Sequence, residues 1–162
     1  MSTDGISFAA GSDIPAPQLA AVIPAYNEAR SIEALVRQVS QRALAIVVDD
    51  GSTDGTAALA RAAGAHVVRH PVNRGYDAAL ESGLRTALAL GCTYAVTMDA
   101  DGQHDPTLVD RFLAELEGGA YLFVGHRDRT QRWSEALCCV VGRAFWGLND
   151  PLCGMKGYRL GI

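Results

Sequence analysis

Asp99 and Asp101 stand in the run VTMDADGQHDP, directly after an apolar stretch, Ala95 to Met98, that reads as a buried strand. Side chains at i and i+2 of an extended chain share a face, so both carboxylates can reach one hard cation that prefers oxygen ligands. A cation held there is suited to a diphosphate. Gln103 can add an amide oxygen from the same turn, whereas His104 reads as a turn or outer group. Strings of the type D-x-D-G also occur in calcium loops, phosphatase motifs and plain turns. A calcium loop opening at Asp99 needs Gly at its sixth position and Glu at its twelfth, where this chain has His104 and Asp110. A phosphatase nucleophile normally opens its domain, but three βα units precede this one.

Other polar segments carry complementary groups. In AVIPAYNEARSI a strand ends at Pro24 and a helix starts near Glu28, leaving Ala25, Tyr26 and Asn27 in a turn. Tyr26 offers a ring for a base to pack on, and Glu28 an acceptor for a hydroxyl or ring N–H. The structural alternative is that Asn27 or Glu28 caps the helix. In IVVDDGSTDGT, Asp49 and Asp50 close a buried strand, and Asp54 suits the N-cap of the next helix. Asp50, and less directly Asp49, suits a base N–H or ribose hydroxyl. A phosphoacceptor reading of that pair needs a later lysine on the same edge, and the chain's one lysine is Lys156. Arg127, Arg129, Arg132, Arg143 and Arg159 gather near the C-terminal end, where guanidinium forks suit phosphate oxygens and a solvated face is the alternative.

The elements that carry these groups follow from apolar periodicity. Strands are expected at Leu19–Ile23, Ala45–Val48, Val67–Arg69, Tyr94–Met98 and Tyr121–Val124. Helices are expected at Ala29–Gln41, Thr56–Ala63, Asp77–Leu90 and Pro106–Leu116, with a further amphipathic helix at Ala136–Leu148 and a tight loop at Asp150–Gly154. Alternation of this kind implies βαβ units and a mostly parallel sheet. In such sheets ligands bind beyond the carboxyl ends of the strands. PAYNE, DDGSTDGT, NRG, DADGQ and GHR each follow a strand, so five loops are expected on one edge.

The chain's 162 residues, 49% hydrophobic and 20% charged, fit one α/β domain over residues 18–162. Residues 1–17 mix Ser, Gly, Ala, Asp and Pro without period and read as a disordered leader. A net charge of -4, with the basic surplus confined to the C-terminal end, argues against general nucleic-acid binding and allows a local site for an anionic ligand. The four cysteines show no zinc or C-x-x-C spacing and no signal peptide is apparent, so a cytoplasmic setting is expected. No apolar run reaches the roughly 20 residues that span a bilayer. Peripheral contact at the inner face of a membrane is compatible with that pattern, and the oligomeric state has no signature.

Taken in order, PAYNE, DDGSTDGT, NRG with its Ala-Leu helix, DADGQHDP, GHR and DPLCGMKGY resemble the family 2 glycosyltransferases of GT-A fold. The likeness covers about residues 18–160 and is nearest to the branch containing dolichol-phosphate mannose synthase and bacterial polyprenyl-phosphate sugar transferases. It implies a nucleotide-sugar donor, a Mg2+ or Mn2+ ion on Asp99, Asp101 and Gln103, and a nucleotide near Pro24, Tyr26, Asn27, Glu28, Asp49, Asp50 and Asp99. Arg127 and Arg132 are then expected to face phosphates, with Asp150 in the acceptor loop and a lipid phosphate as acceptor. Transfer with inversion to a phosphate, already anionic, needs no strong base. With a hydroxyl acceptor, Asp150 is the expected base. Two departures stand out: Tyr76–Asp77 replace the small residues of many relatives, and the sheet is expected to be short at its C-terminal end. A module that binds nucleotide sugar or a partner without turnover is the competing expectation.

Overall fold

The computed structural model describes residues 18–102, 105–124 and 155–161. The expected leader, residues 1–17, lies outside them, as do the expected helix at Ala136–Leu148 and the loop at Asp150–Gly154. Among the described residues, one sheet contains β1 (Leu19–Ala25), β2 (Leu44–Asp49), β3 (His66–Arg69), β4 (Tyr94–Thr97), β5 (Leu122–Val124) and β6 (Lys156–Arg159). Helices α1 (Ile32–Val39), α2 (Thr56–Ala62), α3 (Tyr76–Ala89) and α4 (Leu108–Glu117) alternate with the first five strands. The architecture is the expected α/β sheet, mostly parallel and flanked by helices.

The strands lie in the order β3-β2-β1-β4-β6-β5. β1 pairs in parallel with β2 and β4, and β2 with β3, while β6 runs antiparallel to both its neighbours. The chain therefore builds outward from β1 on one side and resumes on the other with β4. That reversal leaves a crevice between the loops following β1 and β4, where open α/β sheets bind ligands.

β1, LAAVIPA, is buried at every position because strands flank it and helices cover both faces. Its residues alternate between two cores. Ala21, Ile23 and Ala25 join Ile32, Leu35, Val36 and Val39 of α1 and Val109, Phe112 and Leu116 of α4. Ala20 and Val22 join Ile46, Ala87 and Cys92 beneath α3. α3 turns Ala79, Gly83 and Ala87 inward. A Cβ at Gly83 would fall 2.3 Å from Val22 Cγ1, so absence of a side chain there lets the helix sit directly on β1.

Two elements differ from expectation. α1 begins at Ile32 rather than Ala29, because residues 26–31 are held in turns by bonds to the loop after β2. β6 was not expected at all. It inserts between β4 and β5, with Lys156 N–H donating to the buried Thr97 Oγ1 at 3.1 Å. α4 packs on its Gly157, where a Cβ would lie 2.9 Å from Phe112 Cδ1.

Candidate nucleotide and metal site

The loops after β1 and β2 are stitched together. Asn27 takes a left-handed φ of 56°, which asparagine tolerates better than most residues. Its N–H donates to Ser52 Oγ at 2.8 Å, and its side-chain oxygen accepts from Thr53 N–H at 3.0 Å. Glu28 N–H donates to Thr56 Oγ1 at 2.8 Å, and Ala29 N–H to Asp54 Oδ2 at 3.0 Å. Asn27 and Glu28 therefore do not cap α1. Its N-cap is Ser31, whose hydroxyl donates to Glu28 Oε2 at 3.0 Å.

Asp54 likewise differs from its expected role, since the N-cap of α2 is Gly55 at φ 91°. Asp54 Oδ1 instead accepts from Thr56 Oγ1 at 2.5 Å and Thr56 N–H at 3.0 Å, while its other oxygen holds Ala29. The Thr56 hydroxyl, followed by the Ala29 N–H, keeps this carboxyl below the usual carboxylate range.

Asp49 and Asp50 are successive residues and point to opposite sides of the sheet. Asp49 is 0% exposed, accepts from Ser52 N–H at 3.2 Å through Oδ1, and has Oδ2 3.0 Å from Arg69 Nε without hydrogen-bond alignment. Arg69 also donates to Ser52 O at 3.1 Å. Enclosed in this way, the Asp49 carboxylate holds the turn at 50–53. Asp50 ties the third loop to the second. It accepts from His70 Nδ1 at 2.6 Å, from Arg74 N–H at 2.9 and 3.0 Å, and from Gly75 N–H at 2.8 Å. Burial pushes its pKa upward, but the N–H groups of Arg74, His70 and Gly75 outweigh that and leave it below the usual range. At Gly51 a Cβ would lie 2.7 Å from Asn73 N, and φ is 79°, so glycine permits the two loops to touch.

Pro24, Tyr26, Asp50, Asn73, Gly75 and Tyr76 line a cleft of about 140 Å3 at this edge. Tyr26 and Tyr76 are 49% and 45% exposed, so two aromatic side chains border it in reach of solvent. Across the crevice, Asp99 is partly exposed and Asp101 exposed in the turn following β4. Two carboxylates of this i, i+2 set are hard oxygen donors and fit a divalent cation such as Mg2+ or Mn2+. Among the described residues no group of three or more His, Cys, Asp or Glu side chains is gathered for a metal. Gln103, Arg127, Arg132 and Asp150 lie outside the described residues, as does the GHR loop that follows β5.

Sequence reasoning overlooked His70, Ser52, Thr56 and Ser82. The short polar residues of DDGSTDGT were a signal for turn-making side chains. His70 had a signal too, being a bulky titratable residue at the carboxyl end of a strand.

A family model described as glycosyl transferase family 2 matches residues 20–133. A polyprenol monophosphomannose synthase of Mycolicibacterium smegmatis is 35% identical over 90% of this chain and 63% of its own. An uncharacterised protein of Methanocaldococcus jannaschii is 32% identical over 91% and 62%. The crystal structure of glucosyl-3-phosphoglycerate synthase from Mycobacterium tuberculosis in complex with Mn2+, UDP-glucose and phosphoglyceric acid superposes with a TM-score of 0.71 at 27% identity, covering 88% of this chain and 57% of the other. The chain thus spans about three fifths of the length of these relatives.

Proposed function

The chain belongs to glycosyl transferase family 2, and from that membership we propose that it takes part in transfer of a sugar, with inversion, from a nucleoside diphosphate sugar to a polyprenyl phosphate. The observation that carries the donor half is the convergence of the loops after β1, β2, β3 and β4 on one edge, with a cleft bordered by Tyr26 and Tyr76 on one side of the crevice and Asp99 and Asp101 on the other. A Mn2+ and UDP-glucose complex of the mycobacterial neighbour supports the same donor chemistry. The lipid acceptor is supported by the polyprenol monophosphomannose synthase.

In this reading Tyr26 and Pro24 pack against the base, and the loop bound by Asp50 forms the cleft's opposite side. Asn27 and Glu28 keep the turn after β1 in the shape that presents Tyr26. Asp99 and Asp101, with Gln103, hold the divalent cation. When bound, that cation neutralises charge developing on the departing diphosphate. Arg127 and Arg132 add positive charge toward the phosphates, and Asp150 orients the acceptor. Because a phosphate acceptor is already anionic at neutral pH, alignment and charge stabilisation supply most of the rate enhancement.

A second acceptor class has a specific observation behind it, the phosphoglyceric acid in the neighbour's complex. Labelled UDP-, GDP-, CDP- and dTDP-sugars offered with Mn2+ to a polyprenyl phosphate or to phosphoglyceric acid separate the two. Lipid-linked label is the predicted product. Label on phosphoglyceric acid alone replaces the lipid acceptor, whereas binding of nucleotide without transfer to either favours a non-catalytic binding module.

A further inference from the structure

His70 is 5% exposed, and both of its ring nitrogens are engaged. Nδ1 lies 2.6 Å from Asp50 Oδ1 and Nε2 2.9 Å from Ser82 Oγ, which in turn lies 2.8 Å from Ala78 O within α3. An ionised carboxylate offers only acceptors, so Nδ1 carries a hydrogen toward Asp50. The ring therefore bridges the end of β2, through Asp50, to the second turn of α3, through Ser82. Between those anchors runs the segment 71–76, whose Asn73, Gly75 and Tyr76 border the cleft facing Tyr26. The same carboxylate that receives His70 also receives the N–H groups of Arg74 and Gly75.

We propose that His70 is a positioning residue for the nucleotide cleft: through the Asp50–His70–Ser82 chain it sets where residues 73–76, and with them the Tyr76 side of the cleft, stand relative to Tyr26. The proposal rests on the nucleotide reading above and adds to it a buried residue that touches no substrate. Its reach is limited to the nucleoside end of the donor. Asp99 and Asp101 sit on a different loop, after β4, on the far side of β1 from β2 and β3.

That separation makes the test selective. With Mn2+ present, affinities are measured for inorganic pyrophosphate and for whichever of UDP, GDP, CDP and dTDP stabilises the chain most. His70→Ala should weaken the nucleoside diphosphate about tenfold and Ser82→Ala about threefold, with pyrophosphate affinity unchanged. His70→Asn, whose amide N–H stands near the position of Nδ1, should recover most of the loss, and the bulkier His70→Gln should not. If His70→Ala fails to fold, Ser82→Ala and the Asn/Gln pair carry the same test. Unchanged nucleotide affinity in folded variants overturns the proposal. So does a parallel fall for pyrophosphate, which marks a general structural defect, or better recovery by Gln than by Asn, which marks packing. Absence of nucleotide binding by the unsubstituted chain removes the donor reading itself and this inference with it.

Discussion

Two acidic pairs end neighbouring parts of the same sheet edge, and they differ in spacing and in what surrounds them. Asp49 and Asp50 are consecutive, so their side chains leave on opposite faces, and both are buried, at 0% and 4% exposure. Asp99 and Asp101 are two apart in a turn, with Asp101 exposed and Asp99 partly so. The oxygens of Asp50 meet two backbone N–H groups and a histidine, all supplied by the protein. A carboxylate satisfied in this way builds a frame. Carboxylates two residues apart in a solvent-accessible turn are placed where a cation from solution can reach them. Residue type and position on the edge are the same, and the spacing and the exposure divide the work.

Exchanging a member of each pair should break that division in different ways. Asp99→Asn and Asp101→Asn should each lower the rate of sugar transfer at least about 100-fold while leaving the thermal unfolding midpoint nearly unchanged, as checked by a transfer assay beside calorimetry. Asp50→Ala should do the reverse. It orphans the buried His70 and the partly buried Arg74 and Gly75 N–H groups, a loss of about 3 kcal/mol in denaturant unfolding. Comparable loss of stability in the Asp101 variant would erase the contrast.

A third substitution tests the contact between loops. Gly51→Ala should cost about 2 kcal/mol, because its Cβ would meet Asn73 N at 2.7 Å and the backbone φ is positive. Urea unfolding measures it, and a neutral result would mean that the loop at 72–73 yields.

The smallest effect is on acid stability. Asp50 has a folded-state pKa below its ordinary value, so its contribution is complete above the ordinary carboxylate pKa and is lost as pH falls below about 4, where the unfolded chain takes up the proton first. Asp50→Asn should therefore flatten the acid limb of the stability profile. An unchanged slope would mean that the Asp50 contacts carry no proton linkage.

The parallel part of the fold was legible because LAAVI, AIVV and YAVTM are short apolar runs set between amphipathic stretches. β6 was hidden for the opposite reason. KGYR carries two cations and a glycine, and it becomes a strand only because Thr97 and the underside of α4 accept it. The edge location of the site could be read from strand–loop alternation, but the partners of each acid could not. Asp54 shows this clearly: its type suits an N-cap, yet Gly55 takes that position and Asp54 reaches across to Ala29. His70 was passed over because its two partners, Asp50 and Ser82, are 20 and 12 residues away in sequence.

The central claim is that Asp99 and Asp101 hold the cation that joins nucleotide to protein. Calorimetric titration of UDP, GDP, CDP and dTDP with and without Mn2+, on the unsubstituted chain and on the Asp99→Asn/Asp101→Asn double variant, addresses it most directly. The account predicts Mn2+-dependent binding of at least one nucleotide in the former and loss of that Mn2+ dependence in a fully folded latter. Mn2+-dependent binding of equal strength in both would contradict it.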